Sequence, residues 1–184
     1  MKVLFLTTAI VLGFSVVRLP LSGSSQSEPK PAGTMPSAVL GPADTYFVSQ
    51  TSLGTPFQID SGRLAEAKGT TQEIRSYAQL MVSSHVAVNN ALSAILKNKA
   101  PIPPPTLLKA AYSTILSTLQ QENGRMLDAD YVGGQVKYQK ANAALYRYEI
   151  ANGVDPDLKA FAQQTLPKIQ DHLERALKLQ GGAE

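Results

Sequence analysis

Cysteine and tryptophan are absent from the 184-residue chain, and histidine occurs only twice. Without cysteine the protein cannot form disulfides, thiolate metal sites or a lipid-modified N-terminal cysteine, and it has no cysteine nucleophile. Only 17% of the residues are charged, whereas 43% are hydrophobic, which disfavours an intrinsically disordered chain and is typical of a packed core. The chain is long enough for one ordinary domain and a tail.

Basic residues exceed acidic ones by a small margin, with 17 Lys and Arg against 14 Asp and Glu. Loss of residues 1–24 would remove Lys2 and Arg18 but no acidic residue, which leaves a net charge of +1. Nucleic-acid binding requires a clustered basic face, and the sequence contains no such cluster. We therefore expect no nucleic-acid partner. Other partners, including further copies in a homo-oligomer, stay open.

The longest apolar run occupies residues 3–17, between Lys2 and Arg18. This order is typical of a secretory signal peptide. A helix of that length spans roughly 22 Å, which is shorter than the ~30 Å apolar layer of a bilayer. We therefore predict export to the periplasm or cell envelope, with residues 1–24 as the signal peptide. The alternative is an uncleaved segment that associates with the membrane and anchors the protein in the inner membrane through residues 3–17.

Proline, serine and glycine are frequent in residues 25–42, which we interpret as a disordered linker. In residues 43–180, apolar residues recur at alternating spacings of three and four, which predicts an all-α bundle of four main helices and one short helix. The predicted inward stripes are Ile74, Ala78, Met81, His85, Val88, Leu92 and Ile95 in the second helix, Val132, Val136, Gln139, Ala143, Tyr146 and Ile150 in the fourth, and Leu158, Ala162, Thr165, Ile169, His172, Ala176 and Leu179 in the fifth.

Local signals predict where several helices begin or break. The first helix is expected to be interrupted at residues 54–56 and to restart with Thr55 as its N-cap, because proline disrupts a helix interior. Thr70 begins a capping-box pattern that predicts the start of the second helix. The short third helix is expected to bury Ala111 and Ile115. Asp155 is the expected N-cap of the last helix.

His85 and His172 both fall on predicted inward stripes, in different long helices. A buried neutral imidazole usually bonds to a backbone carbonyl or a hydroxyl, and this is the simplest interpretation of both. The alternative is a divalent transition-metal site, because bundles hold metals between helices through histidine and carboxylate side chains. Glu149 and Asp60 are the candidate carboxylates for that site.

Motifs that identify a catalytic centre are missing from this sequence. A di-iron centre needs two Glu-x-x-His pairs, but the residues three positions before the histidines are Val82 and Ile169. Ser83 and Ser84 precede His85, yet neighbouring residues of a helix point in different directions, and no acid is placed to orient the imidazole. We therefore assign no catalytic residue and expect a protein that is not an enzyme.

Five short blocks of the predicted helical region form a recognisable set. They are GRLA at 62–65, YAQLMV at 77–82, DADYV at 128–132, DPDLKAFA at 155–162 and TLP at 165–167. Together they resemble the exported bacterial proteins of domain-of-unknown-function family 4142 (DUF4142). The resemblance covers residues 44–179, and it implies export and a ferritin-like helical bundle.

Members of this family commonly carry polar inward residues that suggest a metal site, and this sequence departs from that pattern. Gln58 stands where a glutamate is usual, and Gln139 replaces an expected histidine. Ser84 replaces the aspartate of an Asp-His pair, while His85 and His172 are retained. Because divalent metals bind amides more weakly than carboxylates or imidazoles, we expect no cofactor. Instead, the two glutamines and two histidines are expected to form a buried, hydrogen-bonded polar cluster that fixes the helix register.

The sequence therefore predicts an exported helical-bundle protein of the cell envelope with a structural, interaction or stress-related role. The periplasm and the outer membrane are both candidate locations. The alternative function is that of a ferritin-like metal-binding protein with a degraded site that uses His85 and His172.

Overall fold

The structure is a computed structural model, and it describes residues 40–182 except for residues 98, 100, 101 and 103–105. The signal peptide and most of the linker, predicted at 1–24 and 25–42, lie outside the described residues. None of the described helices is both long and apolar enough to cross a membrane. The prediction of an all-α fold is confirmed, since this part of the chain forms α1 (Pro42–Lys68), α2 (Gln72–Leu96), α3 (Thr106–Gln121), α4 (Gly124–Asn152) and α5 (Pro156–Gly181).

The four long helices form a ring, in which α1 packs against α2 and α4, and α5 packs against the same two helices. The short helix α3 lies outside this ring and packs mainly on α1. There the rings of Phe57 and Tyr112 stack with their centroids 4.4 Å apart. Ala111 and Ile115, which we expected in the core, are exposed. The reason is that α3 covers one side of the bundle and has no helix on its outer face in the described part.

The first helix, α1, runs without interruption through Pro56, so the predicted restart at Thr55 is wrong. A proline inside a helix costs about 3 kcal/mol, because it removes a hydrogen bond and clashes with the preceding turn. Packing on two sides offsets this cost here. The absence of a side chain at Gly54 leaves room for Tyr138 of α4, and the same absence at Gly62 allows α1 to approach α2 closely.

Side-chain caps fix the starts of two helices. Thr71, and not the predicted Thr70, is the N-cap of α2, and its hydroxyl oxygen accepts a hydrogen bond from the N–H of Ile74 at 3.3 Å. Thr70 instead donates its backbone N–H to the carboxylate of Asp128 in α4 at 3.1 Å, and its hydroxyl bonds to the same carboxylate. Asp155 is the N-cap of α5, as predicted. The start of α2 is thereby tied to the beginning of α4.

The bundle interior contains two apolar clusters, one toward each end, with polar side chains between them. In α2, for example, Met81 belongs to one cluster and Leu92 to the other, and the buried His85 lies between them in the chain. The same arrangement recurs in α4, and in α1 and α5 the two clusters follow in the opposite order along the chain, again with a polar residue between them. We call these residues the central polar layer: Gln58 of α1, His85 of α2, Gln139 of α4 and His172 of α5.

Candidate functional site

All four residues of the central polar layer are buried, with exposed fractions between 0 and 6%. The hydrogen-bonded cluster that we expected is not formed, because both amide atoms of Gln58 and both ring nitrogens of His85 lack a partner within the described residues. The amide nitrogen of Gln139 donates to Gln135 Oε1 at 3.3 Å and to the sulfur of Met81 at 3.5 Å. An unsatisfied buried polar group costs about 1–3 kcal/mol. The layer is therefore the natural candidate for a functional site.

Several polar side chains near the central polar layer are buried although the predicted inward stripes did not contain them. Gln135 and Asn142 of α4 are buried, and α1 contributes several more that were missed because a break was expected at residues 54–56. When α1 is treated as one continuous helix, its buried residues recur at alternating spacings of three and four, as those of α2 do. Its buried stripe is Val48, Thr51, Thr55, Gln58, Gly62 and Ala65.

The imidazole rings of His85 and His172 lie next to each other between α2 and α5, with centroids 6.4 Å apart and a tilt of 43°. Burial, and the neighbouring His172, lower the pKa of His85 to about 3. Burial also lowers the pKa of His172 to about 4; the charge of Asp171 opposes this shift, and Arg175 and Lys168 add to it. Both imidazoles are therefore uncharged at neutral pH.

A cavity of about 780 Å³ opens beside these two rings, between α2, α4 and α5. Uncharged polar side chains line it next to the imidazoles, and its charged lining residues, Lys168 and Asp171, are exposed. A cavity of this size and polarity accommodates a small ligand. We call it the histidine cleft, and its polar lining includes Ser84, His85, Asn142, Thr165 and His172.

The carboxylates that we considered for a metal site lie elsewhere. Asp60 is on the exposed surface of α1 and pairs with Arg63 at 3.7 Å. Glu149 is fully buried, but it follows Gln139 by ten residues, or roughly 15 Å along α4. Among the described residues, no group of three or more histidine, cysteine, aspartate or glutamate side chains is placed to hold a metal ion. The four candidate ligands therefore do not form one site, and the structure brings together only the two histidines.

A second group of buried carboxylates lies where α4 ends and α1 and α5 begin. Asp44 accepts hydrogen bonds from the backbone N–H groups of Gly41 at 2.9 Å, Val154 at 3.0 Å and Asp155 at 3.1 Å. Asp155 caps the first turn of α5 and pairs with Lys99 at 2.5 Å. Both carboxylates are thus used to hold the beginnings of two helices together.

Glu149 lies beside these two carboxylates, packed against Gly153, where a Cβ atom would be only 2.7 Å from Glu149 Cδ. Neither of its carboxyl oxygens has a hydrogen-bond partner in the part of the chain that the structure describes. Burial, with the charges of Asp44 and Asp155, raises the pKa of Glu149 to about 8, against the effect of Lys159. Glu149 is therefore mostly protonated at neutral pH. We call Asp44, Glu149 and Asp155 the carboxylate cluster.

Comparison with known proteins identifies one family. A family model described as a domain of unknown function (DUF4142) matches residues 29–179, which include α1 to α4 and nearly all of α5. No curated protein and no solved structure matches the chain. The arguments for a function therefore come from the central polar layer and the cavities themselves.

Proposed function

Because this chain belongs to the DUF4142 family, whose description assigns no function, we propose a function from the histidine cleft. The proposal is a non-enzymatic role in the bacterial cell envelope, in which the bundle binds or supports other molecules. It is carried by one observation: the imidazoles of His85 and His172 are adjacent, buried and uncharged. A general acid or base works best with a pKa near the operating pH, and values of about 3 and 4 are far below it. The cleft is therefore better suited to binding than to proton transfer.

The helix order supports the proposed likeness to ferritin-like bundles. Two helical hairpins, α1–α2 and α4–α5, are joined by a long connection that contains α3. Ferritin-like folds also use one long crossover between paired helices. This likeness concerns the arrangement of the helices and does not by itself supply metal ligands.

Export is part of the proposal, and it is supported by the apolar run at residues 3–17. We expect the protein recovered from the envelope fraction of bacterial cells to lack residues 1–24, which intact-mass spectrometry measures directly. A Leu12→Arg variant should remain unprocessed, because a charge interrupts the apolar run. A Leu12→Ile variant, which keeps the run apolar, should be processed normally. A mature protein that still begins at Met1 would favour the membrane-anchored alternative.

A second candidate function is weak binding of a divalent transition metal by His85 and His172. The unpartnered ring nitrogens of His85, next to a second neutral imidazole, favour it, because neutral imidazoles are common metal ligands. The buried polar side chains beside them, Asn142 and Thr165, carry no charge, and the one carboxylate among the described lining residues of the cleft, Asp171, is exposed and paired with Arg175. The residues present therefore fit a site with two protein ligands, and they do not fit a carboxylate-rich centre. A metal held there would act as a Lewis acid on a bound ligand.

Elemental analysis distinguishes the two candidates. For protein purified from the envelope fraction we expect much less than one metal ion per chain, with no change in a His85→Ala/His172→Ala double variant. Gln163→Ala, at an exposed position of α5, is the control for a neutral substitution in the same helix. About one equivalent of zinc, copper, manganese or iron per chain, retained in the control but lost in the double variant, would establish metal binding and contradict the first proposal.

A further inference from the structure

A second large cavity, of about 980 Å³, opens at the end of the bundle where α2 and α4 begin and α5 ends. It is separate from the histidine cleft, although both cavities share Leu80. We call it the basic groove. Its lining combines the apolar side chains of Ile74, Tyr77 and Leu80 with the basic side chains of Arg125, Arg175 and Lys178.

The apolar part of the basic groove follows one face of α2. Ile74, Tyr77 and Leu80 are spaced by three residues, so they form a slanted row over roughly 9 Å of helix, and the first two also belong to the neighbouring apolar cluster, with exposed fractions of 7% and 5%. The hydroxyl of Tyr77 donates to the backbone carbonyl of His172 at 3.2 Å, and this polar atom is therefore already used. The floor of the groove is therefore apolar and consists of the outer edges of two core side chains and of the half-buried Leu80.

Three cationic side chains line the groove. Arg175 pairs with Asp171 at 2.8 Å, and Lys178 pairs with Glu174 at 2.6 Å, on the exposed face of α5. Exposed ion pairs of this kind contribute at most about 1 kcal/mol, so the anion of a ligand competes with them readily. Arg125, near the beginning of α4, forms no ion pair with a carboxylate among the described residues.

The two carboxylates in the lining weaken this positive character only in part. Asp128 is buried, and its oxygens already accept hydrogen bonds from the backbone N–H and the hydroxyl of Thr70. Glu73 lies exposed in the first turn of α2, where the helix dipole offsets part of its charge. The beginning of α4 adds a partial positive charge beside Arg125, and the end of α5 adds a partial negative charge near Lys178, so the balance of the groove depends on its three cationic side chains. The groove therefore attracts an anionic group next to an apolar surface.

We propose that the basic groove binds an amphiphile with a single anionic headgroup and a linear alkyl chain, of which a medium-chain fatty acid is the simplest. The alkyl chain lies along Ile74, Tyr77 and Leu80, and the carboxylate pairs with Arg125 and Arg175. Charge-assisted hydrogen bonds from guanidinium groups to a carboxylate are among the strongest in proteins. This proposal is independent of the function proposed for the histidine cleft.

Isothermal titration calorimetry with decanoate, decanol and decyltrimethylammonium tests the proposal. We expect decanoate to bind most tightly and the cationic probe not to bind. The Arg125→Ala/Arg175→Ala double variant should weaken decanoate binding by at least about tenfold, because both partners of the carboxylate are lost. The Lys140→Ala/Arg147→Ala double variant removes the same charge from exposed positions of α4 outside the groove, and it should bind decanoate as the wild type does.

A variant that blocks the groove supplies an independent readout. Ala129 is exposed and lines the groove, so Ala129→Trp should abolish decanoate binding and leave the helical circular dichroism signal and the melting temperature unchanged. Equal affinities for decanoate and decanol, or no binding of decanoate, would overturn the proposal. A dimer that Ala129→Trp dissociates, without decanoate binding to the wild type, would also overturn it and would identify a second copy of the chain as the occupant.

Discussion

Replacing Met81 or Ile169 by aspartate should abolish the cooperative thermal unfolding of the bundle at neutral pH. Both side chains are buried, Met81 in one apolar cluster and Ile169 in the other. An unpaired buried charge costs on the order of 3–5 kcal/mol, and the lost apolar packing adds about 2–5 kcal/mol. Since the stability of a typical domain is about 5–15 kcal/mol, either substitution is expected to remove most of it.

Gln79→Asp and Gln170→Asp are the matched controls, because they place the same charge on exposed positions of α2 and α5. Thermal unfolding followed by far-ultraviolet circular dichroism should be nearly unchanged in these two variants. If both core variants unfold like the wild type, the apolar stripes of the two helices have been assigned to the wrong faces.

The free energy of unfolding should be greatest near pH 6.5 and decrease on both sides. On the alkaline side the cause is Glu149, whose pKa is about 8 in the folded protein against an ordinary value of 4.5. Its folded form retains a proton that the unfolded chain releases above pH 4.5. The stabilisation is therefore complete below pH 4.5 and is lost as the pH rises toward 8, by at most about 1.4 kcal/mol per pH unit.

The two histidines act in the opposite direction. Their pKa values are about 3 and about 4 in the folded protein, against an ordinary value of 6.5, so the unfolded chain binds protons below pH 6.5 that the buried imidazoles do not. Their stabilisation is complete above pH 6.5 and is lost as the pH falls. Between pH 4.5 and 6.5 two histidines outweigh one glutamate, and above pH 6.5 the histidines of the unfolded chain lose their protons, so the glutamate outweighs them. This places the maximum near pH 6.5.

Denaturant unfolding from about pH 4 to about pH 9 measures this profile. Glu149→Gln should flatten the alkaline side, and His85→Gln should flatten part of the acid side, since neither amide titrates. Asp60→Asn, which alters an exposed carboxylate, should leave the profile unchanged. An alkaline side that keeps its slope in Glu149→Gln would exclude this residue as the cause.

Most of the fold could be predicted because inward residues recur at spacings of three and four along most of α2, α4 and α5. The start of α5 could also be predicted, since an aspartate followed by proline, here Asp155 and Pro156, is a local signal for the beginning of a helix. The error in α1 has a different origin. Pro56 indicates a local free-energy cost of helix formation. The packing that offsets this cost comes from Tyr138 and from α2, which are distant from Pro56 in the sequence. A local pattern carries no information about such contacts.

The candidate site was predictable only at the level of helix faces. The spacing placed His85 and His172 on inward stripes, but whether their ring nitrogens find partners depends on side-chain geometry between helices. Glu149 was grouped with the histidines because a helix face does not specify the level along the bundle. Of its actual neighbours, Asp155 is close in the sequence, just before α5, but Asp44 belongs to the beginning of α1 and approaches only in the tertiary structure.

The central polar layer divides the apolar interior into two compartments that have no buried side chain in common. A change of volume in one compartment is not relieved by rearrangement in the other, so the energetic effects of substitutions at opposite ends should add. The long helices still run through both compartments and join them as continuous rods. Evolution can therefore reshape the end that contains the basic groove while the opposite end keeps the molecule assembled.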